Sequence, residues 1–230
     1  ASDVYKRQIQ LGAILAVCVL FFHELNPFSP SKGKEGRRDT WVLWGKIVLG
    51  CIPAAAIGLP LNDWMEEHFY NAPVVALALI VYGVLFIVIE NWNKTRTPKV
   101  ETLNYITYKT AFFIGMFQVL SIIPGTSRSG ATIIGALLLG VSRVAAAEFT
   151  FFLAVPVMFG LSALKLIKFG LSFTSAELAI LIIGCVVAYL VSIVVIKFLM
   201  GYIKKHDFKI FGWYRIVLGV IVLLYFAFFA

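Results

Sequence analysis

Between residues 111 and 141 an apolar stretch is broken by Pro124-Gly125-Thr126-Ser127-Arg128-Ser129-Gly130, followed by Ala131 and Thr132. The pieces on either side, 111–123 and 131–141, reach only about 20 Å and 16 Å as helices, too short for a hydrocarbon core of roughly 30 Å. An arginine at membrane depth costs at least about 2.5 kcal/mol, and lipid offers no partners to the N–H and C=O groups of a loop. The segment must therefore line a polar cavity or be buried in protein. Two half-helices of a re-entrant hairpin, with the Ser-Arg-Ser loop at its tip, meet both demands. A guanidinium, several hydroxyls and glycine-freed backbone N–H groups suit a phosphate, so an anion site inside a membrane protein is expected.

The rest of the chain agrees with that setting. Of its 230 residues 60% are hydrophobic and 14% charged, and the mean hydropathy is +0.91, outside the range of soluble domains. Apolar segments fall at 9–22, 41–61, 72–91, 111–123, 131–141, 144–167, 175–200 and 211–229. Those at 41–61, 72–91, 144–167, 175–200 and 211–229 are long enough, or nearly so, to cross a bilayer. The predicted fold class is all-α, a polytopic integral membrane helical bundle with a re-entrant broken helix. The net charge of +8 comes mainly from lysines and arginines in short connections. That pattern fits topology and contact with membrane lipids, not nucleic acid. Cys18, Cys51 and Cys185 lie inside apolar runs without CxxC spacing, and read as small core residues instead of a disulfide or zinc framework.

Charge in the connections orients the spans. The connection at 23–40 carries Lys32, Lys34, Arg37 and Arg38, whereas that at 62–71 carries Asp63, Glu66 and Glu67 and no lysine or arginine. The first is then cytoplasmic and the second external. Lys94, Arg96 and Lys99, and later Lys204, Lys205 and Lys209, make two further basic connections. All three share one side only if 111–141 turns back to the side it entered from; Lys165 and Lys168 run against this. The resulting order is three spans, a hairpin and three spans of opposite orientation. This is most of an inverted repeat, a layout that puts a binding site near the membrane midplane. The first repeat has no hairpin of its own, and its opening run at 9–22 reaches only about 21 Å. The charged, unpatterned residues before it lack a methionine start and a signal-peptide layout. The expected organisation is a non-native or disordered leader at 1–8 and a single transmembrane domain at 9–230. That domain comprises first-repeat spans at 9–91, the re-entrant hairpin at 107–141 and second-repeat spans at 144–229, with an amino-terminal element missing.

The run Ile123-Pro124-Gly125-Thr126-Ser127-Arg128-Ser129-Gly130-Ala131-Thr132 stands between Gly115 and Gln118 upstream and Ala147-Glu148-Phe149-Thr150-Phe151-Phe152-Leu153-Ala154-Val155-Pro156 downstream. In this context it resembles the bacterial undecaprenyl-diphosphate phosphatases, also called the bacitracin-resistance protein family. Ile9-Gln10-Leu11-Gly12-Ala13-Ile14-Leu15-Ala16-Val17 is similar to that family's third helix. The resemblance implies an integral hydrolase of the bacterial cytoplasmic membrane. It would remove the terminal phosphate of undecaprenyl diphosphate, a C55 prenyl diphosphate, to give undecaprenyl phosphate and so recycle the lipid carrier of cell-wall synthesis. It also implies a divalent metal, Mg2+ or Ca2+. The family's other signature, an acidic motif with serine and histidine in a first re-entrant hairpin, supplies the metal-linked glutamates and a histidine implicated in catalysis. Nothing in this chain matches it, so no metal ligand is assigned and the chain by itself is expected to lack part of the catalytic apparatus.

Arg128 is the leading catalytic candidate, because its planar fork can clamp two diphosphate oxygens and offset charge developing during phosphoryl transfer. By resemblance Ser127 is a nucleophile or a donor to a phosphate oxygen; no activating base is evident, which favours the donor. Ser129 and Thr126 hold either the loop or the phosphate. Thr132 either binds phosphate or caps the following half-helix. Gly125 and Gly130 either permit a tight backbone that aims N–H groups inward or serve helix packing. Gln118 either faces the cavity or makes an interhelical hydrogen bond, and Glu148 is a partner for Arg128 or Arg143. Glu90, at a span end, reads as an interface residue, and His23, His68 and His206 as surface residues. The small-residue stretches 53–58 and 135–140 permit close packing and are compatible with a homodimer. A transporter or flippase of a phosphorylated isoprenoid lipid is the alternative, suggested by the inverted repeat. A structural membrane fragment is the third.

Overall fold

The computed structural model describes residues 2–29, 31–169 and 175–229. Regular structure among them is helical apart from one isolated bridge between Val100 and Val141. The helices are α1 (Ser2–Leu20), α2 (Phe22–Leu25), α3 (Lys34–Pro53), α4 (Leu59–Phe69), α5 (Ala72–Asn93), α6 (Tyr108–Val119), α7 (Arg128–Leu138), α8 (Arg143–Phe169), α9 (Ser175–Ile203) and α10 (Lys209–Phe229). Among the described residues five spans are long and apolar enough to cross a membrane: Lys34–Phe69, Ala72–Asn93, Arg143–Gly160, Leu178–Ile203 and Lys209–Phe228. They coincide with the five long apolar segments, and the chain is a multi-pass membrane protein. The side chains of Lys165 and Lys168 lie outside the described residues.

The chain divides into two compact units. In the first, made of residues 1–44 and 151–202, α1 crosses α9 where Gly12 meets the Cys185 carbonyl, an approach that a side chain at Gly12 would block. Phe21 packs edge-on against Phe152 at 5.2 Å, and the Trp44 indole donates to the Leu25 carbonyl at 2.8 Å.

The second unit, 45–150 and 203–230, carries the hairpin. Its frame is the antiparallel pair α5 and α10. Gly83 faces Gly212, and Ala76 faces Gly219, seven residues earlier on α5 and seven later on α10. A Cβ on Gly83 would lie 2.6 Å from the Gly212 carbonyl, and one on Gly219 2.8 Å from that of Ala76. Small residues at this spacing replace side-chain volume by close backbone contact, the main cohesive force between helices in lipid. The pair is locked at one end by Glu90, which is fully buried. Glu90 takes a bidentate ion pair from Arg143 of α8 at 2.5–3.0 Å and the backbone N–H of Phe208 at 3.1 Å. Glu90 is thus an interior clamp, not the interface residue expected from its position at a span end.

The re-entrant path of 101–140 follows from its ends. Lys99 N–H and Val100 N–H both donate to Gly140 C=O, at 2.9 and 3.1 Å, and Ser142 N–H returns to Val100 C=O at 2.8 Å. The chain therefore leaves and re-enters at one place. Inside the hairpin Gly135 of α7 accommodates the Phe117 ring of α6, and Gly115 of α6 accommodates the Gly50 backbone of α3. Gly135 and Gly140 of the stretch 135–140 serve this contact and the closing turn. The stretch 53–58 instead becomes a π-helical turn, Ala54–Gly58, with no buried residue. Pro53 before it and Pro60 after it remove N–H donors from the α ladder, a recognised cause of such widened turns.

Candidate functional site

The tip of the hairpin is a turn whose residue types prescribe its shape. Thr126 N–H donates to Ile123 C=O at 3.0 Å across Pro124 and Gly125, and Gly125 has φ +88°. Proline second and a positive-φ glycine third define a type II turn. Gly125 also lies against α5: a Cβ there would stand 2.5 Å from the Val75 carbonyl oxygen. Both reasons exclude any other residue. Gly130 has neither. It sits in the first turn of α7 in ordinary helical backbone, with Phe86 of α5 across from it. Of the two glycines, only Gly125 has the conformation of a tight turn; Gly130 is helical and packs against Phe86.

Ser127 is the N-cap of α7. Its Oγ accepts Gly130 N–H at 3.2 Å and lies 3.0 Å from Ser129 Oγ. The cap uses an oxygen lone pair and leaves the hydroxyl proton available to Ser129 or to an anion. The N–H groups of Arg128 and Ser129, in the same first turn, have no intrahelical carbonyl to bond, and the helix dipole adds positive potential there. Arg128 is half-buried, and no ion pair among the described residues involves it. The Cys51 thiol of α3 is within electrostatic reach of its guanidinium.

Thr132 fulfils neither role proposed for it. It is fully buried, donates back to the Arg128 and Ser129 carbonyls at 3.1 Å, and pairs with Thr150 Oγ1 of α8 at 2.9 Å. The cap is Ser127, and Thr132 pins the start of α7 to α8. Glu90, and not Glu148, is the partner of Arg143.

Three buried side-chain atoms among the described residues have no hydrogen-bond partner: Gln118 Oε1, Thr126 Oγ1 and Arg215 Nη1. All three belong to the hairpin unit. The Tyr82 ring of α5 links two of them, its hydroxyl being within electrostatic reach of both Thr126 and Arg215 without meeting bond geometry to the former. Gln118 follows Gly115 by one turn of α6 and so shares the face turned to α3 near Cys51. Orphaned buried polar atoms are costly and scarce in native proteins. Two of them, on Thr126 and Arg215, are joined through Tyr82, and Thr126 belongs to the tip itself. Arg215 escaped the sequence reading because a single arginine in the apolar run of α10 carries no flanking motif. The signal was its depth, six residues inside a candidate span.

Contacts with α5 fix the level of the tip. The first turn of α7, with Gly130 against Phe86 and Thr126 within reach of Tyr82, lies near the middle of α5. The Pro124-Gly125 turn, with Gly125 against Val75, reaches further toward the acidic connection at 62–71. A full-length descending arm, α6 extended by a 3-10 turn at Leu120–Ile122, carries it there. The π turn lies alongside, with Gly58 in contact with Ile122.

Among the described residues no group of three or more His, Cys, Asp or Glu side chains stands together as a metal site. These residues do not fit a divalent metal on their own, and Arg128 is the cation at the tip.

The family model described as bacitracin resistance protein BacA matches residues 1–221. A curated undecaprenyl-diphosphatase of Desulfitobacterium hafniense is 64% identical over 220 residues, covering 95% of this chain and 79% of the relative. One of Enterococcus faecalis is 62% identical over 229 residues, covering 97% and 83%, and one of Latilactobacillus sakei 60% over 224, covering 96% and 82%. With this match spanning nearly its whole length, the chain belongs to the bacitracin resistance protein BacA family.

Proposed function

We propose that this chain is an undecaprenyl-diphosphate phosphatase of the bacterial cytoplasmic membrane, and that its hairpin tip receives the diphosphate from the outward side. The observation that carries the site is the first turn of α7. One arginine without a carboxylate partner, two hydroxyls and two uncommitted N–H groups converge there, next to buried orphans on Thr126 and Arg215. The hydrolase names shared by the relatives favour hydrolysis over transport.

In this reading Arg128 grips two oxygens of the terminal phosphate and stabilises the charge that grows as the anhydride bond breaks. Ser127 and Ser129 donate their hydroxyl protons to the remaining oxygens, and the Arg128 and Ser129 N–H groups complete the cradle. Arg215, reached past Tyr82, holds the second phosphate, and the prenyl tail stays among the helices. Ser127 acts as a donor: its oxygen already accepts the Gly130 N–H, and its side-chain neighbour among the described residues is the Ser129 hydroxyl, not a base.

The test is phosphate release from a C55 prenyl diphosphate in detergent, with and without divalent cation. It compares Arg128→Ala with the parent in this chain and with the same change in the Desulfitobacterium relative. A binding readout, the upward melting shift caused by the lipid, runs in parallel. Removing one transition-state donor costs about 100- to 1,000-fold in rate, so release falls by at least that and the melting shift disappears. Arg215→Gln weakens binding about tenfold with a smaller effect on turnover. Unchanged release and binding in Arg128→Ala would overturn the assignment.

A further inference from the structure

We infer that the hairpin unit holds a second anion site, at its basic end, built for the headgroup of an anionic phospholipid. A cavity of about 500 Å³ opens there between the ends of α5, α7, α8 and α9, a size usual for ligand sites. Lys94, Arg96, Lys99, Arg143 and Lys204 line it, and no carboxylate does. Arg143 is neutralised by Glu90 behind the wall, which leaves four cations facing one concavity. Lys209 adds a fifth nearby, held by Asp207 at 3.7 Å and also in interaction with Lys94.

Complementing the helix dipole does not account for all of these cations. Lys94 and Lys204 follow the C-terminal ends of α5 and α9, where a cation complements the helix dipole. Arg96 and Lys99 have no such role. Arg96 lies over the Trp92 ring, 3.7 Å from its centroid. Lys99 runs along Gly140, its Cβ, Cγ and Cδ all within 3.6 Å of the position a Cβ would take there. The wall behind them is a fixed strap: the paired donations of Lys99 and Val100 to Gly140, the Val100–Val141 bridge, the Ser142 hydroxyl bonded to Glu101 C=O at 2.7 Å, and Gly140 at φ +82°. Cations on a rigid concave frame are held together at a cost in mutual repulsion that an anion relieves.

The surroundings select a lipid over free phosphate. The cavity lies at the level where the spans leave the membrane, with Trp92 as an interfacial aromatic. Its other wall is apolar, formed by Leu137, Leu138, Leu139, Val141, Val144 and Ile203. A headgroup fits against the cations while its glycerol and acyl stems follow the leucines. By the charge of its connections this is the cytoplasmic face, where anionic lipids attract basic segments.

The experiment is native mass spectrometry of the detergent-purified chain titrated with phosphatidylglycerol, phosphatidylcholine and inorganic phosphate. It compares the parent, the triple variant Lys94→Gln/Arg96→Gln/Lys99→Gln, and a control with three charges removed elsewhere, Lys34→Gln/Arg37→Gln/Arg38→Gln. Melting curves confirm that all three are folded. One phosphatidylglycerol is retained by the parent and the control, with affinity at least tenfold lower in the triple variant and at least tenfold lower for phosphatidylcholine. Equal losses in variant and control would reduce the effect to general charge and overturn the site. Displacement of the lipid by millimolar phosphate would overturn the lipid assignment in favour of a free anion.

Discussion

Gly125→Ala and Gly130→Ala make a matched pair, five residues apart in one motif, whose outcomes must differ if the geometry of the tip is right. At Gly125 two costs combine. A non-glycine residue in the left-handed region costs about 1–2 kcal/mol. The new Cβ would stand 2.5 Å from the Val75 carbonyl oxygen and 2.8 Å from its Cα, where ordinary contact begins at 3.4 Å. Both obstacles are backbone of α5, so the tip must retreat by close to 1 Å, at an overpacking cost of about 1–3 kcal/mol. The sum, about 2–5 kcal/mol, corresponds to a melting loss of roughly 5–15 °C for a chain of this size. At Gly130 the nearest atoms are Ser127 Cβ at 3.3 Å and Phe86 Cε2 at 3.4 Å, which yield by small side-chain movements. Alanine gains about 1 kcal/mol over glycine in a helix, so the net change stays near zero. The assay is thermal unfolding of both variants in one detergent, with phosphate release measured on the same pair made in the Desulfitobacterium relative. A displacement of 1 Å at a catalytic loop costs about 100-fold in rate, expected for Gly125→Ala alone. Equal melting and equal turnover for the two variants would refute both the positive-φ turn and its contact with Val75.

Glu90→Ala leaves the buried Phe208 N–H without its acceptor and the partly exposed Arg143 without its partner, and is expected to cost about 1–3 kcal/mol, read as melting temperature in detergent. The double change Glu90→Leu/Arg143→Met recovers only the part that belongs to the ion pair. Thr132→Val leaves the Thr150 hydroxyl buried without its partner and costs about 1–3 kcal/mol, whereas Thr132→Val/Thr150→Val removes both polar groups and returns close to the parent. Neither threonine variant changes the melting shift produced by a prenyl diphosphate, which a phosphate-binding Thr132 would. Arg128→Lys keeps the charge and loses the fork, so it retains binding but lowers turnover at least tenfold in the relative.

The features that the sequence carried openly are those written as length or as punctuation. Helices in lipid need about 20 apolar residues, so the five crossings could be read from the runs that became α3–α4, α5, α8, α9 and α10, and the Pro124-Gly125 break could only be a turn between half-helices. Basic connections predicted a hairpin returning to its own side, and the Val100–Gly140 strap closes it there. What could not be read was which polar group of the motif faces which neighbour. Ser127, Ser129 and Thr132 are chemically alike. Five residues, about 1.4 helical turns, separate Ser127, whose oxygen caps α7, from Thr132, which points into α8 and meets Thr150. That difference is set by the rotation of α7 about its axis, which depends on how Gly135 seats against Phe117 across the hairpin. The same holds for Glu90. As a carboxylate near the end of an apolar run it resembled an interfacial residue, until the arrival of Arg143 and Phe208, from 53 and 118 residues away, gave it three partners. Arg215 shows the limit from the other side. A motif announces an arginine through its neighbours, but a lone arginine in α10 acquires meaning only when Gly83 and Gly212 bring α5 against it and Tyr82 stands between it and the tip. Local chemistry therefore singled out the hairpin tip, and the packing of small residues along α5 decided which side chains stand near it.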